Sequence, residues 1–169
     1  RDVAVTGVQT CALPISYLLG FHPTRSLVII GLNGSSVVLT TRIDLAELRT
    51  GGWDEEGDHG DWPDDQILDE TLQVISSSGS NAAIGVVYDD DADVSRPSHL
   101  GWRNAVRTLQ VTAAHWRLHT VDALLVSRGR WWSYLCTAPG CCPPEGRELA
   151  GDTSPAAATA TYAGLVALS

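Results

Sequence analysis

The chain has 169 residues, of which 44% are hydrophobic and 18% charged, with a formal net charge of -9. That length supplies about one domain, able to bury roughly two thirds of the surface its unfolded form exposes. Eleven basic against twenty acidic side chains exclude a general affinity for nucleic-acid phosphates, and no apolar run approaches the roughly 18 residues that span a bilayer.

All eleven basic residues are Arg, and the chain has neither Lys nor Met; without an initiating Met it reads as a fragment of a longer protein. Residues 5–15 (VTGVQTCALPI) match one frame of a common sequencing adapter codon by codon, and residues 1–4 fit the adjoining adapter bases and index. Residues 1–16 are therefore set apart as foreign. Cys11 leaves the cysteine count, and a single, incomplete α/β domain remains over 17–169.

Residues 27–32 (LVIIGL) and 36–45 (SVVLTTRIDL) are two apolar, β-branched runs separated by Asn33-Gly34-Ser35. Asn and Gly tolerate positive φ, so the pair predicts a β-hairpin. Residues 49–65 predict a loop of Gly, Trp and acid. Between Asp54 and Glu70 stand nine acids and no Arg, so this segment carries the whole net charge. Asp54, Glu56, Asp58 and Asp61 offer oxygen ligands to Ca²⁺, but their spacing is not that of an EF-hand loop, and a solvated loop is the expectation.

Pro63 predicts the start of a helix with Asp64 and Asp65 in its first turn. Its buried stripe is Leu68, Leu72 and Ile75, and it ends at Ser76-Ser77-Ser78-Gly79. Residues 82–88 (AAIGVVY) lack alternation and predict a central strand covered on both faces. Asp89, Asp90, Asp91 and Asp93 follow.

The next helix is expected over 98–118, with Trp102, Val106, Leu109, Ala113 and Trp116 on one face. His115 and His119 are four apart, a spacing that can bind metal; with no acidic partner in a motif, they and His99 read as surface or helix-end histidines. Residues 121–126 and 130–136 predict two strands joined at Ser127-Arg128-Gly129. A loop of Cys, Pro and Gly follows, and Ser154-Pro155 opens an Ala-rich helix. The order β-β-α-β-α-β-β-α predicts an α/β fold with a mixed sheet and helices packed on it.

Three segments carry a resemblance: YLLGFHPTRSLVIIGL (17–32), the strand ending VVYDDD, and VDALLVSRGRWWSYLCTAPGCCPPEG (121–146). They resemble an actinobacterial family known as domain of unknown function 4192, over essentially everything from Tyr17 onward. GFHP-x-R-S and C-x4-C-C-P-x-E-G are unusual patterns, and they occur in the family's order. The resemblance implies a cytoplasmic protein whose chain continues past Ser169, mostly helical, and it supplies no activity. The acid-rich loop 53–62 is not a feature it accounts for.

Cys136, Cys141 and Cys142 are the leading chemical candidates. Clustered cysteines in a reducing compartment point to metal or catalysis, and three thiolates with His22 would complete a tetrahedral zinc site. If the first and last strands are antiparallel neighbours, the turn holding His22 and Arg25 meets the cysteine loop at one sheet edge. Against zinc, C-x4-C-C is not a standard spacing, and Cys136 fits equally as a small buried residue. A reactive thiol would need Arg25 or His22 beside it.

Trp131 and Trp132 alternate on a strand, so one ring is expected in the core and the other outside, where it would mark a binding surface. Paired carboxylates among Asp89–Asp93 would suit Mg²⁺ and phosphate chemistry, but no phosphate loop or Lys accompanies them, and a solvated acidic turn is expected.

The leading functional expectation is a cytoplasmic binding or regulatory module for a protein or small-molecule partner, with neither nucleic acid nor membrane involved. Its surface would comprise His22, Arg25, one of Trp131 and Trp132, and Glu145 beside the cysteines. The alternatives are an enzyme using a cysteine thiolate or the Asp89–Asp93 carboxylates, and a structural zinc site.

Overall fold

The structure is a computed structural model that describes residues 23–48, 65–96, 100–136, 138, 140 and 142–148. Its elements are β1 (Ser26–Asn33), β2 (Ser36–Asp44), a 3-10 turn (Leu45–Glu47), α1 (Gln66–Ser77), β3 (Ala82–Tyr88), α2 (Arg103–His115), β4 (His119–Ser127), β5 (Arg130–Ser133) and β6 (Arg147–Glu148). The six strands form one sheet in the order β2-β1-β3-β4-β5-β6. β3 and β4 are parallel, and the other neighbouring pairs are antiparallel. This is the expected α/β fold with a mixed sheet.

The hairpin forms as the sequence predicts, with Gly34 at φ 59 in its turn. Between Gly31 and Leu32 the pairing with β2 slips, leaving Val38 as the extra residue of a bulge. β3 occupies the residues read from its unbroken apolar run. It is buried on both faces because β1 and β4 flank it and side chains pack above and below.

Leu27, Ile29, Ala83, Val87, Ala123, Leu125 and Trp132 face the helices, meeting Leu68, Leu72 and Ile75 of α1 and Val106, Leu109 and Ala113 of α2. Val28, Ile30, Ile84, Val86, Leu124, Val126 and Trp131 form a second apolar cluster on the reverse face. Both described helices therefore lie on one side of the sheet. Neither is long and apolar enough to cross a membrane.

Element ends depart from expectation for local reasons. α1 begins at Gln66, and Asp65 is its N-cap rather than a first-turn residue, accepting from Leu68 N at 3.2 Å. α2 is shorter than 98–118: Trp102 enters it in the left-handed region at φ 66, and Arg117 leaves it at φ 60. Trp116, placed by periodicity on the apolar stripe, donates its indole N–H to Asp69 Oδ1 at 2.9 Å and so ties α2 to α1. β5 stops at Ser133, before Cys136, because the Ser133 hydroxyl accepts from the backbone N–H groups of Leu135 and Cys136 and turns the chain. β6 is a short strand that the sequence did not signal. The solvated loop expected over 49–64, with the carboxylates weighed as calcium ligands at Asp54, Glu56, Asp58 and Asp61, Pro63 and the helix from Ser154 lie outside the described residues.

Gly85 faces α2, where an added Cβ would meet Leu109 Cδ2 at 2.5 Å. The missing side chain lets the helix sit close against the central strand. Gly85→Ala is therefore expected to destabilise the fold by about 1–3 kcal/mol through overpacking, measured as a lower midpoint in urea denaturation with an unchanged slope.

Candidate functional site

The carboxyl ends of the parallel strands β3 and β4 open on one edge, the position where α/β sheets bind ligands. The last turn of β3 delivers Asp89, which is 6% exposed. Its backbone N–H donates to Val126 O at 3.1 Å, continuing the strand pairing and placing Asp89 beside Ser127. Strand alternation sends both side chains to the helix-covered face, since Val87 and Leu125 lie there.

Asp89 is held from three sides. Trp102 Nε1 donates to Oδ2 at 2.8 Å, Asp91 N donates to Oδ1 at 3.1 Å, and the Arg25 guanidinium stands 3.5 Å from Oδ1. Arg25 also lies 3.5 Å from Asp91, and both of those side chains are exposed, at 60% and 81%. Asp90 Oδ1 accepts from Arg128 N at 2.7 Å, and Asp93 Oδ1 accepts from Ser95 N at 2.9 Å. Asp90, Asp91 and Asp93 are exposed, as expected of a solvated acidic turn, while Asp89 departs from that expectation by being buried. An isolated buried carboxylate is costly, and these partners are what make Asp89 tolerable.

Three of the residues in contact with this turn adopt left-handed backbone without being glycine: Arg25 at φ 45, Trp102 at φ 66 and Arg128 at φ 50. Each such residue costs roughly 1–2 kcal/mol. Nearby, Tyr134 is buried with its hydroxyl donating to Gly101 O, and the Arg103 guanidinium lies 5.6 Å from its ring centre. Burial holds this phenol above its ordinary range, Arg103 opposes that, and Asp89 adds to it. Ser127 is 1% exposed, and its hydroxyl has no hydrogen-bond partner among the described residues.

The cysteine segment lies elsewhere. β1 and β5 are separated by β3 and β4 and run in the same direction, so they are not the antiparallel neighbours that a joint edge requires. Arg25 stands where β3 and β4 end. Cys136 follows the opposite end of β5, near Asp122, which is about 17 Å from Ser127 along β4 at about 3.3 Å per residue. His22 and Cys141 lie outside the described residues, as does His99.

Cys136 and Cys142 both pack on the reverse-face cluster, and neither is in a disulfide. Among the described residues no three His, Cys, Asp or Glu side chains converge to hold a metal ion. His115 and His119 are exposed, as expected of surface histidines. Burial pushes the Cys142 thiol up to about 12, aided by its hydrogen bond with Cys136 and the charges of Cys136 and Asp122, with Arg147 opposing. That is the reverse of an activated nucleophile.

Neither tryptophan is exposed. Trp131 is 9% and Trp132 7% accessible, one on each face of the sheet, because residues 142–148 fold back over β5. Trp132 Nε1 donates to Pro144 O at 3.1 Å, and Gly146, at φ 76, lies directly against its ring. Both rings are structural. Glu145 is exposed, and its carbonyl accepts from Arg130 at 3.4 Å.

Asp122 is a site residue that the sequence reading passed over. It is buried beneath the cysteine segment and accepts from Ser133 Oγ at 2.7 Å and Ala123 N at 2.8 Å. A lone acid within the apolar run VDALLV was the available signal. Burial raises its carboxyl above the ordinary range, against those two hydrogen bonds.

Three outcomes follow from this geometry. Trp102→Phe removes a hydrogen bond to a buried charge and is expected to cost about 1.5–3 kcal/mol in urea denaturation. For Asp122, the unfolded chain ionises near pH 4 while the folded chain keeps its proton to higher pH. The resulting penalty is absent below the unfolded value and grows as pH rises through the folded one. Asp122→Asn should therefore match the parent near pH 4 and gain stability relative to it toward pH 8, read from paired denaturation curves. At pH 8 Cys142 should alkylate at least about tenfold more slowly in the folded than in the urea-unfolded chain, followed by peptide mass spectrometry.

A family model described as Domain of unknown function (DUF4192) matches residues 12–169, opening inside the segment read as adapter. No curated protein and no solved structure matches the chain.

Proposed function

The chain belongs to the Domain of unknown function (DUF4192) family, and we propose that it is a cytoplasmic binding or regulatory module whose ligand meets the edge where β3 and β4 end. The observation that carries this reading is the Ser127 hydroxyl. It is 1% exposed, without a hydrogen-bond partner among the described residues, and stands beside Asp89. A buried polar group left unsatisfied costs about 1–3 kcal/mol, and a bound polar group would relieve it.

The chemistry around it selects the ligand. Arg25 and Asp91 present one cation and one anion to solvent at a separation of 3.5 Å. Such an exposed pair contributes little to stability, so a guest can exchange it for two new pairs. A small zwitterion of the amino-acid type fits, with its carboxylate toward Arg25 and Ser127 and its ammonium toward Asp91. The net charge of -9 supports a partner other than nucleic acid, and clustered cysteines support a reducing compartment.

The Trp102 indole N–H, bonded to Asp89, is the natural reporter. Titrating the uniformly ¹⁵N-labelled chain with the standard amino acids should give, for at least one of them, a saturable shift of that resonance. Arg25→Gln should weaken the affinity at least about tenfold, as expected when a charged contact is lost. If no amino acid shifts the Trp102 signal saturably, or if Arg25→Gln binds as tightly as the parent, the reading fails.

A further inference from the structure

Cys136 and Cys142 belong to neither strand ends nor ligand edge. Each is anchored through its backbone: Cys136 N donates to Ser133 Oγ at 2.9 Å, Ser133 Oγ donates to Asp122 at 2.7 Å, and Cys142 N donates to Ala138 O at 2.8 Å. Both side chains rest on the reverse-face cluster. The two side chains share a hydrogen bond. The backbone thus holds the two sulfurs within hydrogen-bonding reach of each other.

We propose that Cys136 and Cys142 form a modification site, at which two-electron oxidation by a small peroxide joins them in a reversible disulfide. Burial disfavours the Cys142 thiolate, so Cys136 is the attacking sulfur. Its thiolate bonds to one peroxide oxygen, the O–O bond breaks, and the departing hydroxide takes up the proton that Cys136 released, leaving one water and a sulfenic acid. The Cys142 sulfur then attacks the sulfenic sulfur. The S–O bond breaks, and the hydroxyl leaves with the Cys142 proton as a second water. Two thiols and one peroxide thus give one disulfide and two waters.

The apolar surroundings accept an S–S bond more readily than they accept a thiolate, which burial disfavours. Disulfides of cytosolic proteins are characteristically transient and redox-linked, which suits a site in a reducing compartment. The link would also fasten the start of the segment that carries Pro144 and β6 against Trp132, so that oxidation is visible in tryptophan emission.

The test exposes the folded chain to excess hydrogen peroxide, followed by peptide mapping without reductant. The parent and a chain carrying Cys11→Ser and Cys141→Ser should both lose two hydrogens in a Cys136–Cys142 link. Dithiothreitol should reverse that link and restore the original tryptophan emission. Cys142→Ser, verified as folded by circular dichroism, should accumulate sulfinic acid at Cys136 instead. Links that run through Cys11 or Cys141, or recovery of Cys136 and Cys142 as thiols or sulfinic acids in the folded parent, would overturn the proposal. Amino-acid binding at Arg25 and Asp89 bears on neither result.

Discussion

Parallel pairing of β3 with β4 is the constraint on which the rest of the structure depends. Antiparallel neighbours can be joined by a tight turn, but parallel ones require the chain to travel from the end of one strand back to the start of the next. Here α2 makes that journey, and it must cross a face of the sheet to do so. The central strands are consequently apolar on both sides, and Gly85 gives Leu109 room to approach. The same crossover collects the ends of β3 and β4 at one edge, beside the start of β1, which is why Arg25 and Asp89 meet although 64 residues apart in sequence.

Two of the buried aspartates stand at opposite ends of the sheet. Asp89 lies on the helix-covered face, with Arg25, Trp102 and a backbone N–H to balance its charge. Asp122 lies toward the reverse face near the opposite end of β4, where hydroxyl and backbone donors are its partners and burial holds its proton longer. The same side chain is thereby a charge anchor at one end and a pH-dependent burden at the other. The cysteine segment adjoins the second of these, with Cys136 and Cys142 half-buried against the reverse-face cluster.

Much of the architecture was legible because apolar periodicity is a local property. The unbroken run of β3 and the Leu68, Leu72 and Ile75 stripe of α1 report burial directly. Strand order is not local, and nothing in residues 17–32 or 130–136 says that two other strands come between them. The expectation of a shared edge for Arg25 and the cysteines failed on that point. Trp102 and Trp116 pack half-buried against the helix-side cluster as their spacing predicts, and each also donates its indole N–H at a helix end, a role that depends on partners 13 and 47 residues away. Trp131 and Trp132 obeyed the alternation rule, but residues 142–148 cover what alternation alone would leave bare. Arg25 was singled out by its motif, while its acidic partner was read as a separate feature.

Among the described residues β2 is the outermost strand at its side of the sheet, with Val37 and Val38 exposed at 49% and 39%. Neither Pro nor Lys interrupts its sequence. An extended edge of this kind is a template on which a second chain can add itself. The bulge at Val38 breaks the regular spacing of its backbone groups at the most apolar point, and Arg42 adds a charge further along. A register irregularity in an exposed edge strand thus tempers its capacity to pair with a second chain, so that its loss would be felt in the concentration the protein tolerates before it is felt in the fold.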